Sequence, residues 1–411
     1  MSLGVYWGEI EAGRLERVPD GAGDYTFAYT DAARPISLSL PLERGSFDAA
    51  ASAPFFEGLL PEGAVREQLA RQLKLAPGDT YGMLAAIGRD CAGALQILEH
   101  ERRAQAPSVD WLDAGELDEL IRELPRHPLG VWAGDGAMRL SLAGVQQKAV
   151  LCRDEHGRFG RPLGGMPSTH ILKPERADGE YPGLAANECF CMRLARRCEL
   201  PAARVELATI AERPCLVVER FDRDTAATPT ARIHQEDLCQ ALGLSPSFKY
   251  QREGWRLPSY AALSRLLDEH SAAPGADRLA GALAATFDFL VGDADAHAKN
   301  VSLVHAHDGI RLAPLYDVVS TAAYPELDRS LALAIGDELD PDAITSIHWA
   351  DLAEDFGLNA RAFGRVRSRL AERTVTEARA LAGEARASGW HRASVDAILK
   401  TIEARFPRVV D

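Results

Sequence analysis

Residues 292 to 320, GDADAHAKNVSLVHAHDGIRLAPLYDVVS, crowd polar groups at the end of an apolar helical run and then give way to alternating, strand-like residues. The runs SLVHA and IRLAPL flank Asp308-Gly309, the strongest short signal for a two-residue hairpin turn. A turn centred there sets Asp317 opposite Asn300, so a carboxylate and an amide oxygen converge near Asp295. Such oxygens suit a hard cation, and magnesium needs few of them because it also holds substrate phosphates. The chemistry indicated is nucleotide-dependent phosphoryl transfer. Asp295 precedes Asn300 by five positions, the offset between base and metal ligand in HRDxxxxN catalytic loops. A second reading stays open, in which Asp293 and Asp295 only cap and end a helix.

Phosphoryl transfer also requires a cation on the nucleotide. On the short strand THILKPE, Lys173 alternates with apolar neighbours and would point toward a cleft; the alternative is an edge-strand lysine that blocks aggregation. In the helix that follows, Leu184, Glu188, Cys191 and Ala195 form one stripe, which puts Glu188 on the apolar face in need of a partner, with Lys173 the candidate. SLAGVQQK (141 to 148) could cover phosphate with the backbone N–H groups of Ala143, Gly144 and Val145, or be an ordinary turn. CLVVERFDR ends a strand at Glu219 and Phe221, which would serve as a hinge for adenine or as a solvated strand end. His297 could act as a base but fits better as a group orienting the loop; His305 and His307 read as hairpin-surface residues. The glycines between Phe159 and Gly165 read as a flexible loop.

At ~150 residues per domain, 411 residues suggest two or three domains. Short β-like runs, VYWGEI, YTFAY and ISLSL, indicate a small antiparallel sheet, followed by a helix over 55 to 75 that Pro61 breaks. Residues 101 to 110 read as a linker. From 138 to 222 strands surround one helix, and beyond about 232 the pattern is helical apart from the hairpin. The division is therefore 1–105, 106–225 and 226–411. With 60 acidic against 46 basic residues the net charge is −14, so any nucleic-acid contact must be local. Seven cysteines without a CxxC pair indicate reduced, mostly buried thiols and argue against structural zinc. No signal-like start and no membrane-length apolar run occur, which places the chain in the cytoplasm with no membrane partner.

Taken in order, SLAGVQQK, STHILKPE, NECFCMRLARRC, LVVERFDR, HQEDLCQALG, GDADAHAKN and LYDVVST resemble the HipA family of serine/threonine kinase toxins, and VYWGEIEAGRL, ISLSLPL and FFEGLLPEG resemble that family's N-terminal domain. The resemblance implies an α+β, bilobal, protein-kinase-like fold with ATP between a β-rich N-terminal part and an α-helical C-terminal domain. It implies Asp295 as catalytic base and Asn300 and Asp317 as Mg2+ ligands. It further implies a nucleotide site formed by Ala143, Gly144, Val145, Gln146, Gln147, Lys148, Lys173, Glu219, Arg220, Phe221, His297, Ala298, Lys299, Asn300, Tyr316 and Asp317. Ser141 matches the loop serine at which such kinases are silenced by autophosphorylation. Implied partners are a helix-turn-helix, HipB-like antitoxin, operator DNA reached mainly through it, and a protein substrate such as a glutamate–tRNA ligase. Two features depart from the family pattern: Asp293, where an uncharged residue is usual, and the acidic IGDELDPD (335 to 342). A small-molecule phosphotransferase on the same lobes, and a nucleotide-binding corepressor without kinase activity, are the competing functions. In the tail, Arg361, Arg365, Arg369 and Arg373 recur every four residues, with Phe363, Val366 and Leu370 facing elsewhere. The stripe could contact DNA phosphates through Arg365 and Arg369, or be a solvated face neutralised by Glu372 and Glu377.

Overall fold

In a computed structural model of the chain, structure is described for residues 2–18, 25–30, 34–99, 106–130, 146–176, 178–227 and 229–410. The chain forms two compact units, one of Met1–Pro174 with Thr209–Pro246, the other of Glu175–Ala208 with Ser247–Asp411.

The first unit opens with an antiparallel sheet in which Ser2–Trp7 pairs with the central strand Ile10–Arg17 on one side and with the edge strand Leu95–Leu98 on the other. Tyr25–Tyr29 and Ser46–Phe47 extend it. Alternation does the folding: Leu3 faces Leu15 and Leu15 faces Phe27 across the strands, all three fully buried against Phe55, Phe56, Leu69 and Leu84. The helices Ala49–Gly58 and Gly63–Leu73 are separated at Pro61, as the sequence requires. ISLSL is not a strand, however. Residues 36–40 fold into turns, because Tyr29 Oη accepts from Ile36 N–H and donates to Leu40 O, while the carboxylate of buried Glu236 takes Leu38 N–H and Ser37 Oγ–H.

A second antiparallel sheet runs in the order Arg213–Glu219, His170–Pro174, Ala149–Arg153, Phe159–Leu163, Ser108–Trp111. The expected linker over 101–110 is therefore a strand from Ser108 onward, and 101–105 lie outside the described residues. The expected flexible glycine loop is likewise a strand, Phe159–Leu163, followed by a tight turn. Gly164 there has φ 60°, and a Cβ would lie 2.1 Å from Ala106 O.

The second unit is helical, built from Leu184–Arg197, Tyr260–His270, Pro274–Val291, Ser346–Asp355, Ala360–Ala387 and Arg392–Val410. Phe287, Phe289, Trp349 and Phe356 are fully buried, and the Trp349 indole donates to Arg408 O at 2.7 Å. One hairpin, Ser302–Ala306 with Gly309–Leu312, interrupts the helices. All seven cysteines are buried and outside any disulfide. Among the described residues no helix is long and apolar enough to cross a membrane.

Candidate active site

The apolar helix Pro274–Val291 ends at Gly292, whose N–H donates to Asp288 O and Phe289 O in a left-handed cap, φ 79°. Only glycine fits, since a Cβ would meet Ala322 Cβ and Thr401 Cγ2 at 2.7 Å. The loop that follows is held by its own side chains. Asp293, 3% exposed, accepts Asp295 N–H at 2.8 Å on one oxygen and Val319 N–H at 3.1 Å on the other. Burial, with the Asp288 and Asp295 carboxylates nearby, pushes Asp293 well above the usual carboxylate range. Asp293 thus does more than cap a helix: it straps the segment containing Asp295 to the segment after Asp317.

Asp295 is exposed, and its carboxylate accepts the Tyr250 hydroxyl at 2.6 Å. Its carbonyl accepts His297 N–H at 2.7 Å and the Asn300 side-chain N–H at 3.0 Å. That bond turns the Asn300 amide so that its oxygen is left to receive a cation. His297 is buried edge-on to Tyr250, ring centroids 5.2 Å apart, and burial together with the Lys249 charge pushes its imidazole down to about 3. It is neutral at ordinary pH and orients the loop through its backbone. Ala298 N–H donates to Lys249 O, and Lys299 is buried.

The hairpin pairs Ala306 with Gly309 and Leu303 with Leu312, so its turn is His307-Asp308 and the register differs by two residues from the expected one. Strict extension of this register would set Asp317 opposite Ala298, not Asn300. Asp317 nevertheless lies close enough for its charge to act on His297. It holds φ 56°, unusual for a non-glycine residue and typical of functional positions. Tyr316 Oη donates to Lys299 O at 2.7 Å and, its proton spent, receives Ser302 Oγ–H at 2.6 Å. His305 is buried rather than on the hairpin surface, because its strand turns that face inward; His307 is exposed at the turn. From helix Leu184–Arg197, the Asn187 amide bonds both Ser320 N–H and Ser320 O. Neither Tyr250 nor Asn187 was expected from the sequence.

Lys173 sits mid-sheet, opposite Leu216, and is 3% exposed, which removes the edge-strand reading. Glu188 is 2% exposed on its own helix. Lys148 is buried, with Gln146 and Gln147 half-buried before it; Ser141, Ala143, Gly144 and Val145 lie outside the described residues. The Arg220 guanidinium is spent inside the first unit on Asp222, Ser168 Oγ and Cys91 O, and its N–H on Thr169 O, so its side chain holds that unit together. In the same cluster burial would raise Asp90, but Arg223, Arg232 and Arg220 outweigh it and hold the carboxyl at about 2.

No group of three or more His, Cys, Asp and Glu that could hold a metal occurs among the described residues. The chemistry of an Asn300 amide oxygen and an Asp317 carboxylate suits magnesium, which would draw its other ligands from phosphates and water. Compared with known proteins, residues 3–98 match the HipA N-terminal domain and residues 140–380 the HipA-like C-terminal domain. The chain belongs to the HipA family. It is 39% identical over 369 residues to the putative kinase Y4mE of Sinorhizobium fredii, covering 87% of this chain and 86% of that one. It is 33% identical over 380 residues to the serine/threonine-protein kinase toxin HipA of Shewanella oneidensis, covering 87% and 84%. A Shewanella oneidensis HipA structure, solved with HipB and operator DNA, superimposes with TM-score 0.83 at 30% identity over 99% of this chain and 97% of that one. The HipA-family chain is thus a serine/threonine-protein kinase with an α+β, kinase-like fold.

Proposed function

We propose that this HipA-family kinase uses ATP and magnesium to phosphorylate a protein hydroxyl, with Asp295 as general base. The observation that carries the reading is the loop in which Asp293, Tyr250 and Asn300 fix an exposed Asp295 while leaving an amide oxygen beside it. In the reaction Asp295 accepts the proton of the attacking serine or threonine as its oxygen reaches the γ-phosphoryl group. Asn300 and Asp317 would hold magnesium, which when bound neutralises phosphate charge. Gln146 to Lys148, Lys173 supported by Glu188, Glu219, Phe221 and Tyr316 would hold the nucleotide. The relatives' names, a kinase toxin and a complex of HipA with HipB and operator DNA, extend the proposal to a toxin that works with a HipB-like antitoxin at operator DNA; the motif resemblance alone adds a target such as a glutamate–tRNA ligase, a cytoplasmic setting and self-silencing at Ser141.

Incubation with ATP and magnesium followed by mass spectrometry tests it. Phosphate is expected on Ser141 and on the protein substrate, absent with Asp295→Asn although calorimetry still shows ATP bound, whereas Asp317→Ala weakens magnesium–ATP binding itself. Turnover at the wild-type rate by Asp295→Asn would overturn the assignment of the base.

A further inference from the structure

Helix Pro274–Val291 carries a carboxylate that the phosphoryl-transfer residues do not use. Asp288 is 9% exposed, and its Oδ1 is fully buried without a hydrogen-bond partner. Burial alone lifts it to about 7, with no cation pulling it back. A carboxylate in this state lacks the partner that a buried charge requires.

Asp288 lines a cavity of about 290 Å3, all of whose walls belong to the second unit. Most of the wall is apolar, from Leu200, Leu263, Ala284, Leu315 and Val318 among others. Three other polar side chains there are engaged. Asp277 holds Arg311 through two oxygens and also takes Ser271 Oγ–H and Leu312 N–H; Ser302 bonds Tyr316; Asp293 bonds two backbone N–H groups. Tyr260 lies near both Asp288 and Asp293, so this end of the cavity is acidic. The volume exceeds by more than an order of magnitude the ~10–15 Å3 that one water needs, and an apolar wall gives water few partners. It suits a compact organic body carrying one cationic head.

We propose that this cavity binds a small hydrophobic amine, its apolar body against Leu263, Ala284 and Leu315 and its ammonium on Asp288. Asn300 and Tyr316 share the wall, so an occupant is in a position to bias the catalytic loop. The inference rests on this cavity alone and stands whatever substrate the kinase takes.

The probe is 2-phenylethylamine, titrated calorimetrically into the full-length protein beside n-propylbenzene, in which a methyl group replaces the ammonium. One amine per chain is expected, with propylbenzene at least about tenfold weaker. Asp288→Asn should erase that preference, and Ala284→Phe, which fills the cavity, should abolish binding of both. Should Ala284→Phe fail to fold, the wild-type comparison and Asp288→Asn still decide. Absence of amine binding to the wild type, equal binding of the two probes, or amine binding unchanged by Asp288→Asn overturns the proposal.

Discussion

Asp288, Asp293 and Asp295 lie within eight residues yet meet three environments. Asp295 is exposed and held by Tyr250, Asp293 is buried with two backbone donors, and Asp288 is buried with an unpartnered oxygen. The last has a consequence for stability. Because burial raises Asp288 to about 7, the folded chain keeps a proton that the unfolded chain releases near pH 4. The stability this confers is fully present below about pH 4 and is lost as pH rises through about 7. His297, lowered to about 3, acts in the opposite sense: its contribution is present above about pH 6.5 and lost as pH falls through about 3. Asp288→Asn leaves the histidine unchanged but also lifts the Asp288 charge from Asp293, so the difference between wild type and variant reports the two buried aspartates together. Urea unfolding should show the wild type losing up to a few kcal/mol relative to the variant between pH 4.5 and 7.5. Parallel pH profiles would mean that Asp288 is ionised throughout. At this scale the sequence was legible where spacing is local, as for Asp295 and Asn300. It was silent about Tyr250 and Asn187, whose partners lie 45 and 133 residues away.

Glycines show how an element can be read correctly for an incomplete reason. Asp308-Gly309 does mark the hairpin, but the turn itself is His307-Asp308, and Gly309, at φ 124°, begins the returning strand. A Cβ at 309 would come within 2.9 Å of Ala272 Cβ, and Ala272 N–H donates to Ile310 O, so packing against residues 271–272 fixes the register. Sequence alone cannot show that neighbour. Gly292 is the stronger case, because its left-handed cap and its contact with Ala322 and Thr401 together aim the catalytic loop. Gly292→Ala should therefore cost about 1–3 kcal/mol and lower the rate of phosphoryl transfer, with the loop displaced by the new methyl. Thermal melts and a transfer assay on the same preparation check this. A variant with wild-type melting and rate would show that the cap has no part in placing Asp295.

Whole-chain organisation was legible chiefly as ordered motifs, and the structure supplies reasons for two that lack catalytic groups. ISLSLPL and HQEDLCQALG are 190 or more residues apart, yet Ser37 and Leu38 bond Glu236 and Ser39 bonds Gln240 O, so each segment is shaped by the other. The compact units cut across chain order, with helix Leu184–Arg197 joining the C-terminal one, which no linear scan of composition reveals. Charge is the remaining whole-molecule property. Against a net −14, helix Ala360–Ala387 exposes Arg361, Arg365 and Arg369, whereas Arg367 is buried on Val409 O and Arg373 pairs with Glu199 at 2.8 Å. Glu377 lies beside Arg197, so the expected neutralisation of the stripe by its own helix is replaced there by a cross-helix pair. We propose that Arg365 and Arg369 touch phosphate when an antitoxin complex holds operator DNA, adding positioning rather than sequence reading. Each phosphate neutralised releases counterions, with a slope of about 0.9 per contact in the logarithm of affinity against that of salt. Replacing both arginines by alanine should flatten the slope by up to about two and weaken binding alike for operator and unrelated DNA. An unchanged slope and affinity would return the stripe to solvent.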